Sequence, residues 1–374
     1  MKIGIITHPL EYNYGGLLQN YALQHVLRSF GHNVHTIDKV FFKHYRKRTI
    51  VLLLKRFIKR IIGKEISISE KQYCYIKKNC TNFVKENINV TKAFQNDKEL
   101  KSIIKKYKFE AYVVGSDQVW RPAFANNIYN DFLDFCQDKE NIKRLAYAAS
   151  FGISEWEFNE EQTKECSRLA KLFDAISVRE DSGIALCKEH LGVDATHVLD
   201  PTLLLEKEDY IKLVEKAQEP ISEGNLFCYI LDNNESIEKG IHNIENKLSL
   251  KGFQVKAKKE KWTFKCGENI KERVIPSPTK WLRAFMDAKM VFTDSFHGCV
   301  FSIIFNKPFW VIGNKERGNA RFDSLLKQFN LESRRFDISE MNNIDLTQPI
   351  DWAQVNTIKK EWQEKSINFL KGNL

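Results

Sequence analysis

MKIGIITHPLEYNYGGLLQNYALQHVLRSFGHNVHTID, residues 1–38, is the stretch that decides the fold. The apolar residues Ile3–Thr7 predict a strand, and the spacing of apolar side chains over Leu17–Phe30 predicts a helix. A second strand, Val34–Asp38, is predicted after the break at Gly31. Two strands joined by a helix in this order predict a parallel pair with a crossover connection.

The same alternation of strand and helix continues along the chain. Further strands are predicted at Ala111–Gly115, Leu145–Ala149, Ala175–Val178, His197–Leu199, Leu226–Leu231, Phe253–Ala257, Val291–Thr293 and Phe309–Ile312. A charged helical stretch is predicted over Glu70–Lys106, and further helices at Asp181–Leu191, Ser236–Leu250, Thr279–Ala288, Phe296–Phe305, Arg321–Phe329 and Trp352–Leu370. This order predicts an α/β protein with two Rossmann-like domains, residues 1–218 and 219–350, facing each other across a cleft, and a C-terminal helix over 351–374. Such folds bind ligands at the carboxyl ends of their strands.

The composition excludes several classes of protein. With 43% hydrophobic and 28% charged residues over 374 positions, the chain is typical of a globular protein. Its eight cysteines form no CxxC pair, which argues against a zinc ribbon and against a disulfide scaffold. There is no apolar run of 18 residues, and the first residues enter a strand pattern where a signal peptide would need an apolar core. We therefore expect a cytoplasmic protein with reduced thiols.

Positive charge is concentrated in one segment. Lys39–Lys64 holds ten Lys or Arg residues and no Asp or Glu, in a chain whose formal net charge is +10. Apolar and basic residues alternate over Lys43–Lys64 at the spacing of a basic amphipathic helix. Such a helix can lie on an anionic membrane surface or dock on its own domain. No nucleic-acid-binding motif accompanies it, so nucleic acid is not expected as a partner.

Polar residues follow the first and third predicted strands. Asn13 and the pair Gly15-Gly16 open directly into a helix, where backbone N–H groups could approach an anion; a plain glycine turn is the alternative. After the strand at Ala111, Asp117 beside Ser116 is placed to act as a base or to orient a hydroxyl, or else to cap the next helix. Trp120 could offer a flat face to a sugar ring, or be half-buried.

Two later strands also end in residues with binding chemistry. Arg179 presents a planar fork suited to a carboxylate or a phosphate, although pairing with Glu180 or Asp200 would explain it equally. The Asp200-Pro201-Thr202 turn is interpreted as the exit from the first domain.

The strongest local signal lies between a short strand and an apolar helix. Asp294, Ser295 and His297 stand there, and the helix dipole would draw anions toward His297. Downstream, Arg321 opens another helix and offers a second guanidinium for an anion.

Taken together, five blocks in this order are similar to motifs of the polysaccharide pyruvyl transferase family. They are NYGGLLQNYALQ (13–24), VGSDQVW (114–120), SVRE (177–180), LDPT (199–202) and TDSFHGCVFSIIFNK (293–307). The resemblance implies a GT-B-like fold, whose C-terminal helix either crosses back onto the first domain or mediates a dimer. It adds Gln19 to the substrate-binding residues and places Asp117, Arg179 and His297 in the active cleft. Many members have an arginine two residues before the histidine, where this chain has Ser295.

The resemblance also implies an activity. Family members transfer the pyruvyl group of phosphoenolpyruvate to sugar hydroxyls, as a cyclic ketal, on a surface polysaccharide or its lipid-linked precursor. Asp117 would act as the base, His297 as the proton donor or phosphate contact, and Arg179 and Arg321 would hold the donor, with Arg321 replacing the arginine missing at Ser295. No metal or cofactor is implied, and the enzyme would work in the cytoplasm, with Lys43–Lys64 on the inner face of the membrane.

Two other functions fit the same pattern. A GT-B glycosyltransferase that uses a nucleotide sugar would have the same cleft, but it would be stabilised by a nucleoside diphosphate. A non-catalytic, membrane-docked scaffold of polysaccharide assembly would tolerate substitutions in the cleft, but not charge reversal in Lys55–Arg60. The acceptor sugar, the hydroxyls modified and the stereochemistry of the ketal are not encoded in any motif.

Overall fold

The computed structural model describes residues 1–40, 64–265, 268–313 and 319–374. The basic helix predicted at about 43–64 lies outside these residues, apart from its last position. Strands and helices are numbered here in chain order among the described residues. The strands are β1 Lys2–Ile6, β2 Asn33–Thr36, β3 Ile66–Ser67, β4 Ala111–Val114, β5 Lys143–Ala149, β6 Ala175–Val178, β7 Thr196–His197, β8 Leu226–Tyr229, β9 Gly252–Phe253, β10 Thr263–Phe264, β11 Met290–Thr293, β12 Phe309–Ile312 and β13 Arg335–Phe336.

Helices connect these strands as crossovers. They are α1 Tyr14–Ser29, α2 Glu70–Ile76, α3 Lys78–Asn87, α4 Asp97–Tyr107, α5 Glu160–Ala170, α6 Ser182–Leu186 with a π-helical turn over Cys187–Leu191, α7 Lys207–Lys216, α8 Glu235–Leu248, α9 Pro278–Asp287, α10 Phe296–Ile304, α11 Ala320–Gln328 and α12 Trp352–Asn373. Short 3₁₀ turns, among them Pro122–Phe124 and Pro201–Leu204, lie in the loops.

Two separate parallel sheets form the frame. The first has the order β2-β1-β4-β5-β6-β7 and the second the order β13-β12-β11-β8-β9, and every pair within them is parallel. Strand β4 (Ala-Tyr-Val-Val) is buried at every residue, as expected for a parallel strand with helices on both faces. The predicted α/β fold with two Rossmann-like sheets is confirmed.

One apolar core runs through both halves of the molecule. It joins Leu17 of α1 and Val113 of β4 to Phe227 of β8 and Phe301 of α10. Every residue of α10 is buried, because this helix is apolar on all sides and packs between the two sheets. Two smaller cores cover the outer faces of the sheets. The shared core fixes the two sheets against each other and so fixes the site between them.

The C-terminal helix α12 crosses back onto the first half, as the resemblance implied. Gln363 donates to the Leu203 carbonyl at 2.8 Å, and Ser366 Oγ accepts from the Leu199 N–H at 3.0 Å. Ser366 is fully buried, so this contact is part of the core.

Some predicted elements differ from the structure. The strand predicted over His197–Leu199 ends at His197, because the Leu199 N–H bonds to α12 instead of to a strand. The stretch Glu70–Lys106 is three helices, since Val90 and Phe94 pair with the chain that extends β2. The strand over Phe253–Ala257 is only Gly252–Phe253, at the edge of the second sheet.

In the part of the chain that the structure describes, no helix is both long and apolar enough to cross a membrane. The seven cysteines among the described residues have free thiols, and only Cys74 is exposed.

Candidate active site

The site lies where the strand order reverses in both sheets. In the first sheet the reversal falls between β1 and β4, and in the second between β8 and β11. Crevices of this kind open at the carboxyl ends of the strands, where ligands bind in doubly wound folds.

The two halves meet through the beginnings of two helices. Gly15 in the first turn of α1 lies against His297 in the first turn of α10, so closely that a Cβ at position 15 would be 2.0 Å from His297 Nδ1. Asn13 caps α1 by accepting from the Gly16 N–H at 3.1 Å. Two helix N-termini therefore point at one spot, and both favour a negative charge there.

A buried ion-pair network lies beneath this contact. Arg179 Nη1 donates to Asp200 Oδ2 at 2.8 Å, and its Nη2 lies 3.5 Å from Asp117 Oδ1. Ser116 Oγ donates to the same Asp200 oxygen at 3.1 Å, and His297 Nε2 lies 3.8 Å from it. The Arg179 side chain is 2% exposed and that of Asp200 is fully buried. Removal of either partner would leave the other charge buried without its nearest opposite charge, which strongly lowers the stability of the fold.

Both aspartates are held in their charged form. Burial would raise the pKa of the Asp200 carboxyl, but His297, Arg179 and the hydroxyl of Thr202 hold it well below its usual range. Burial acts the same way on Asp117, and the charge of Arg179 outweighs it, helped by nearby His8, so the pKa of Asp117 is also lowered. At neutral pH, Asp117 is therefore a carboxylate ready to accept a proton or a hydrogen bond.

Asp117 is held in an unusual backbone conformation. Its φ is +73°, in the left-handed region that non-glycine residues seldom adopt. The Asp117 carbonyl accepts from the Ser150 N–H at 3.1 Å, next to a bulge that shifts the register of β5 near Ala149. Strain of this kind is characteristic of functional sites, and here it aims the carboxylate into the cleft.

A second guanidinium comes from the other half of the molecule. Arg321, at the start of α11, has its guanidinium carbon 5.9 Å from the centre of the Phe296 ring, and Arg179 lies 4.3 Å from the same ring. Burial, followed by the positive charge of Arg179, lowers the pKa of Arg321 to about 10. Two like charges are thus held close together in a buried place.

The cleft opens next to Asp117 into a cavity of about 460 Å³. Asn13 and Asp117 are the predicted residues that line it, together with His8, Tyr12 and Phe124. His297, Arg179 and Arg321 lie behind Asp117 and are nearly buried.

Trp120 is not where the sequence suggested. The residue is fully buried, its ring stacks on Phe132 at 4.8 Å, and its indole N–H donates to the Asp131 carbonyl. Its role as a platform for a sugar ring is therefore wrong. An apolar side chain directly after a buried strand end is drawn into the core of the first half.

Three other side chains that were predicted to contact substrate make hydrogen bonds to other parts of the protein instead. Gln19 is 1% exposed and donates to Thr7 Oγ1, and Ser116 is fully buried under Asp117. The carboxylate oxygens of Asp294 accept from the N–H groups of Leu231 and Asp232, which ties the end of β11 to the end of β8. These three side chains hold the crevice in shape, and the prediction that they contact substrate is corrected accordingly. Ser295, 6% exposed, is the N-cap residue of α10 without a capping bond from its side chain.

Three residues of the site were not predicted as site residues from the sequence. Asp200, interpreted as an exit turn and as one candidate partner of Arg179, is the centre of the ion-pair network. His8 lies beside Asp117, and its position directly after the first strand was the available signal. Glu180 is buried beside Ser150, and burial raises the pKa of its carboxyl despite the nearby charge of Arg179.

Within the described residues, no group of three His, Cys, Asp or Glu side chains is arranged to hold a metal ion.

Comparisons with known proteins agree with this architecture. The model of the family described as polysaccharide pyruvyl transferase matches residues 13–316. Among solved structures, the UDP-GlcNAc 2-epimerase of Methanocaldococcus jannaschii is similar with a TM-score of 0.56 and 13% identity, over 99% of both chains. The UDP-GlcNAc 2-epimerase of Neisseria meningitidis, bound to UDP-GlcNAc, gives 0.51 and 10% identity, over 98% of this chain and 94% of that one.

A plant protein gives the same result. Arabidopsis thaliana UGT89C1, complexed with UDP-L-rhamnose, is similar with a TM-score of 0.50 and 9% identity, over 99% of this chain and 98% of that one. At these identities the likeness shows the GT-B fold. A search of curated proteins found no significant match.

Proposed function

The chain belongs to the polysaccharide pyruvyl transferase family, a family of transferases, and we propose that it moves the pyruvyl group of phosphoenolpyruvate onto sugar hydroxyls. The acceptor in this proposal is a surface polysaccharide or its lipid-linked precursor, and the product is a cyclic ketal.

One observation carries the choice of donor. Arg179 and Arg321, from opposite halves of the molecule, approach the Phe296 ring together, and their mutual repulsion contributes to the lowered pKa of Arg321. A ligand with two anionic groups would offset that repulsion, with one group facing Arg321 and the other facing Arg179, whose Nη1 already pairs with Asp200. Phosphoenolpyruvate carries two such groups, a carboxylate and a phosphate.

The reaction proceeds in balanced steps. A proton added to the terminal carbon of phosphoenolpyruvate makes an oxocarbenium-like centre at the enol carbon. The oxygen of a sugar hydroxyl forms a bond to that carbon and gives its proton to a base. A second hydroxyl of the sugar then forms the second carbon–oxygen bond and passes its proton to the departing phosphate, the bond to the phosphate oxygen breaks, and inorganic phosphate leaves as hydrogen phosphate.

Two residues divide the proton transfers. Asp117 is charged and faces the cavity, so it can accept the proton of the first hydroxyl or orient that hydroxyl for attack. His297 stands behind it, between Asp200 and Gly15, and either contacts the phosphate or donates the proton to the terminal carbon. Asp117→Asn keeps the left-handed backbone, which Asn tolerates, and should lower the transfer rate at least about a hundredfold.

The lipid-linked acceptor rests on the sequence of Lys43–Lys64. A basic amphipathic segment there would hold the enzyme on an anionic membrane face, each basic residue near the surface contributing about 1 kcal/mol. The measurement is flotation with vesicles of 30% phosphatidylserine, comparing the native chain with charge reversal of Lys55, Arg56, Lys59 and Arg60. Failure of the native chain to float would remove the membrane from the proposal.

The test of the donor is a thermal shift. The purified protein is melted with phosphoenolpyruvate, UDP or a UDP-sugar, at concentrations up to 10 mM. We expect phosphoenolpyruvate to raise the Tm, and Arg321→Lys and Arg179→Lys, which keep the charge but lose the planar fork, to reduce the shift. Arg168→Lys is the control, because Arg168 pairs with Glu165 on an exposed helix face.

The other outcomes are equally decisive. A shift with UDP alone would mean a nucleotide-sugar glycosyltransferase. No pyruvyl transfer by the native chain, together with loss of vesicle binding on charge reversal in Lys55–Arg60, would favour a scaffold.

A further inference from the structure

The cleft carries a second recognition surface that the donor does not use. Tyr12 is 40% exposed and Phe124 is 44% exposed, and these are the two exposed aromatic rings among the side chains that the structure describes. Both line the cavity that opens at Asp117. Exposed aromatic rings are costly to leave in water, so their presence together at one cavity indicates a ligand surface.

Each ring is held rigidly with one face supported. Arg121 lies 4.8 Å over Phe124 and is itself fixed by a two-bond pair with Glu157. Tyr12 packs against Trp262 at 5.4 Å. Rigid rings lose little entropy when a ligand stacks on them, which makes them efficient anchors.

Two further cavities share lining residues with the Asp117 cavity. One of about 430 Å³ shares Tyr12 and reaches Trp262, and one of about 260 Å³ shares Phe124 and reaches Asn130. Tyr12 borders both the central cavity and the first of these, and Phe124 borders both the central cavity and the second. The cleft is thus a row of three cavities with an aromatic ring at each junction and Asp117 in the middle one.

The lining of the row offers many hydrogen-bonding groups to hydroxylated rings. Carboxamide side chains, which offer both donors and acceptors, recur along it: Asn13, Gln95, Asn96, Gln118, Asn126, Asn127, Asn130 and Gln254. The cavity that reaches Trp262 also has the basic side chains Lys256, Lys259, Lys261 and Arg273, whereas no Lys or Arg lines the central cavity. The C–H faces of a sugar ring match the electron-rich face of an aromatic ring.

We propose that this row of cavities binds an oligosaccharide acceptor of at least three sugar units. The reacting unit lies at Asp117, one neighbour stacks on Tyr12 and the other on Phe124. This inference rests on the proposed function and narrows its acceptor to an internal unit of a chain, in place of a free monosaccharide. It also replaces Trp120, the aromatic residue that the sequence suggested, with two others.

The test is binding to an array of bacterial surface glycans of one to six sugar units. We expect retention on glycans of three or more units and none on the component monosaccharides. Tyr12→Ala and Phe124→Ala should each weaken retention about tenfold, while Tyr12→Phe should bind within about twofold of the native chain, because the stacking face remains. Ile221→Ala, at a residue 75% exposed outside the cleft, is the control.

The same variants separate this inference from the proposed donor. The thermal shift with phosphoenolpyruvate should be unchanged in Tyr12→Ala and Phe124→Ala, since neither residue belongs to the arginine cluster. Retention on no glycan, equal retention of monosaccharides and longer glycans, or retention unchanged in both alanine variants would overturn the inference, whatever the donor does. Glycan retention without a phosphoenolpyruvate shift would leave the acceptor site standing and overturn the donor.

Discussion

A single methyl group at position 15 tests whether His297 must approach the first helix. The Cβ of Gly15→Ala would lie 2.0 Å from His297 Nδ1 and 2.3 Å from its Cγ, where ordinary contact begins at 3.4 Å. The ring must therefore retreat by about 1.4 Å, or the two helix N-termini must separate. A displacement of about 1 Å at a reacting group costs on the order of a hundredfold in rate, equivalent to about 2.7 kcal/mol of activation free energy.

The neighbouring glycine provides a matched control. A Cβ at Gly16 would meet its nearest atoms at 3.6 Å, which is ordinary contact, and alanine is better by about 1 kcal/mol than glycine inside a helix. Gly16→Ala should therefore keep its activity and hold or raise its stability. Gly15→Ala should lose about a hundredfold in pyruvyl transfer and about 1–3 kcal/mol in the free energy of unfolding, as an overpacked core does.

The assays are the initial rate of phosphate release from phosphoenolpyruvate with a glycan acceptor, and urea unfolding followed by tryptophan fluorescence. Gly15→Ala within about threefold of the native rate would refute the argument that the ring position matters. Equal losses in both variants would show that the helix N-terminus, and not the histidine contact, is the sensitive feature.

Two further predictions concern stability. Asp200→Asn removes the charge of the nearer of the two aspartates beside buried Arg179 and should cost about 3–5 kcal/mol in urea unfolding. Asp194→Asn, in an exposed pair, should cost less than about 1 kcal/mol. The folded pKa of Asp200 is depressed, so the stability that its carboxylate contributes is present above the unfolded pKa of about 3.9 and is lost as pH falls through the folded pKa. The Asp200→Asn variant should therefore lose less stability than the native chain on acidification below about pH 5. Parallel losses in the two proteins would contradict this assignment. Ser366→Ala removes the acceptor of a buried backbone N–H and should lower the free energy of unfolding by about 1–3 kcal/mol. Thr357→Ala should change it little, because the Thr357 hydroxyl bonds within its own exposed helical turn. Equal effects of the two variants in unfolding titrations would argue against helix α12 as part of the first core.

Much of the fold followed from local pattern. The strands at 175–178 and 309–312 have the bounds that their apolar runs predicted, and each lies inside a parallel sheet with a neighbouring strand on both sides. Strands at the edges were predicted less well, since β7 and β9 have a neighbour on one side only and their ends depend on contacts from distant parts of the chain.

The residues of the site also fall into those that the sequence predicted and those whose contacts depend on distant parts of the chain. Asp117 and His297 each follow a predicted strand, and the family resemblance placed both in one cleft. The partner of Arg179 could not be assigned, because Glu180 and Asp200 are equally plausible in sequence and only the fold brings Asp200 to 2.8 Å. For Trp120, the sequence shows an aromatic residue after a strand but not the Phe132 ring that covers it.

The positive charge near the Phe296 ring explains why the preceding position, 295, holds a serine. Ser295 is 6% exposed and adjoins the ring that Arg179 and Arg321 both approach. An arginine at position 295, as in many members of the family, would have to bury a third guanidinium where the pKa of Arg321 is already lowered to about 10. A small hydroxyl residue there leaves the place to Arg321, which enters from the next helix and keeps the number of guanidinium groups at two. Two such groups match a donor with two anionic ends, and this match is the reason we assign the role of the missing arginine to Arg321.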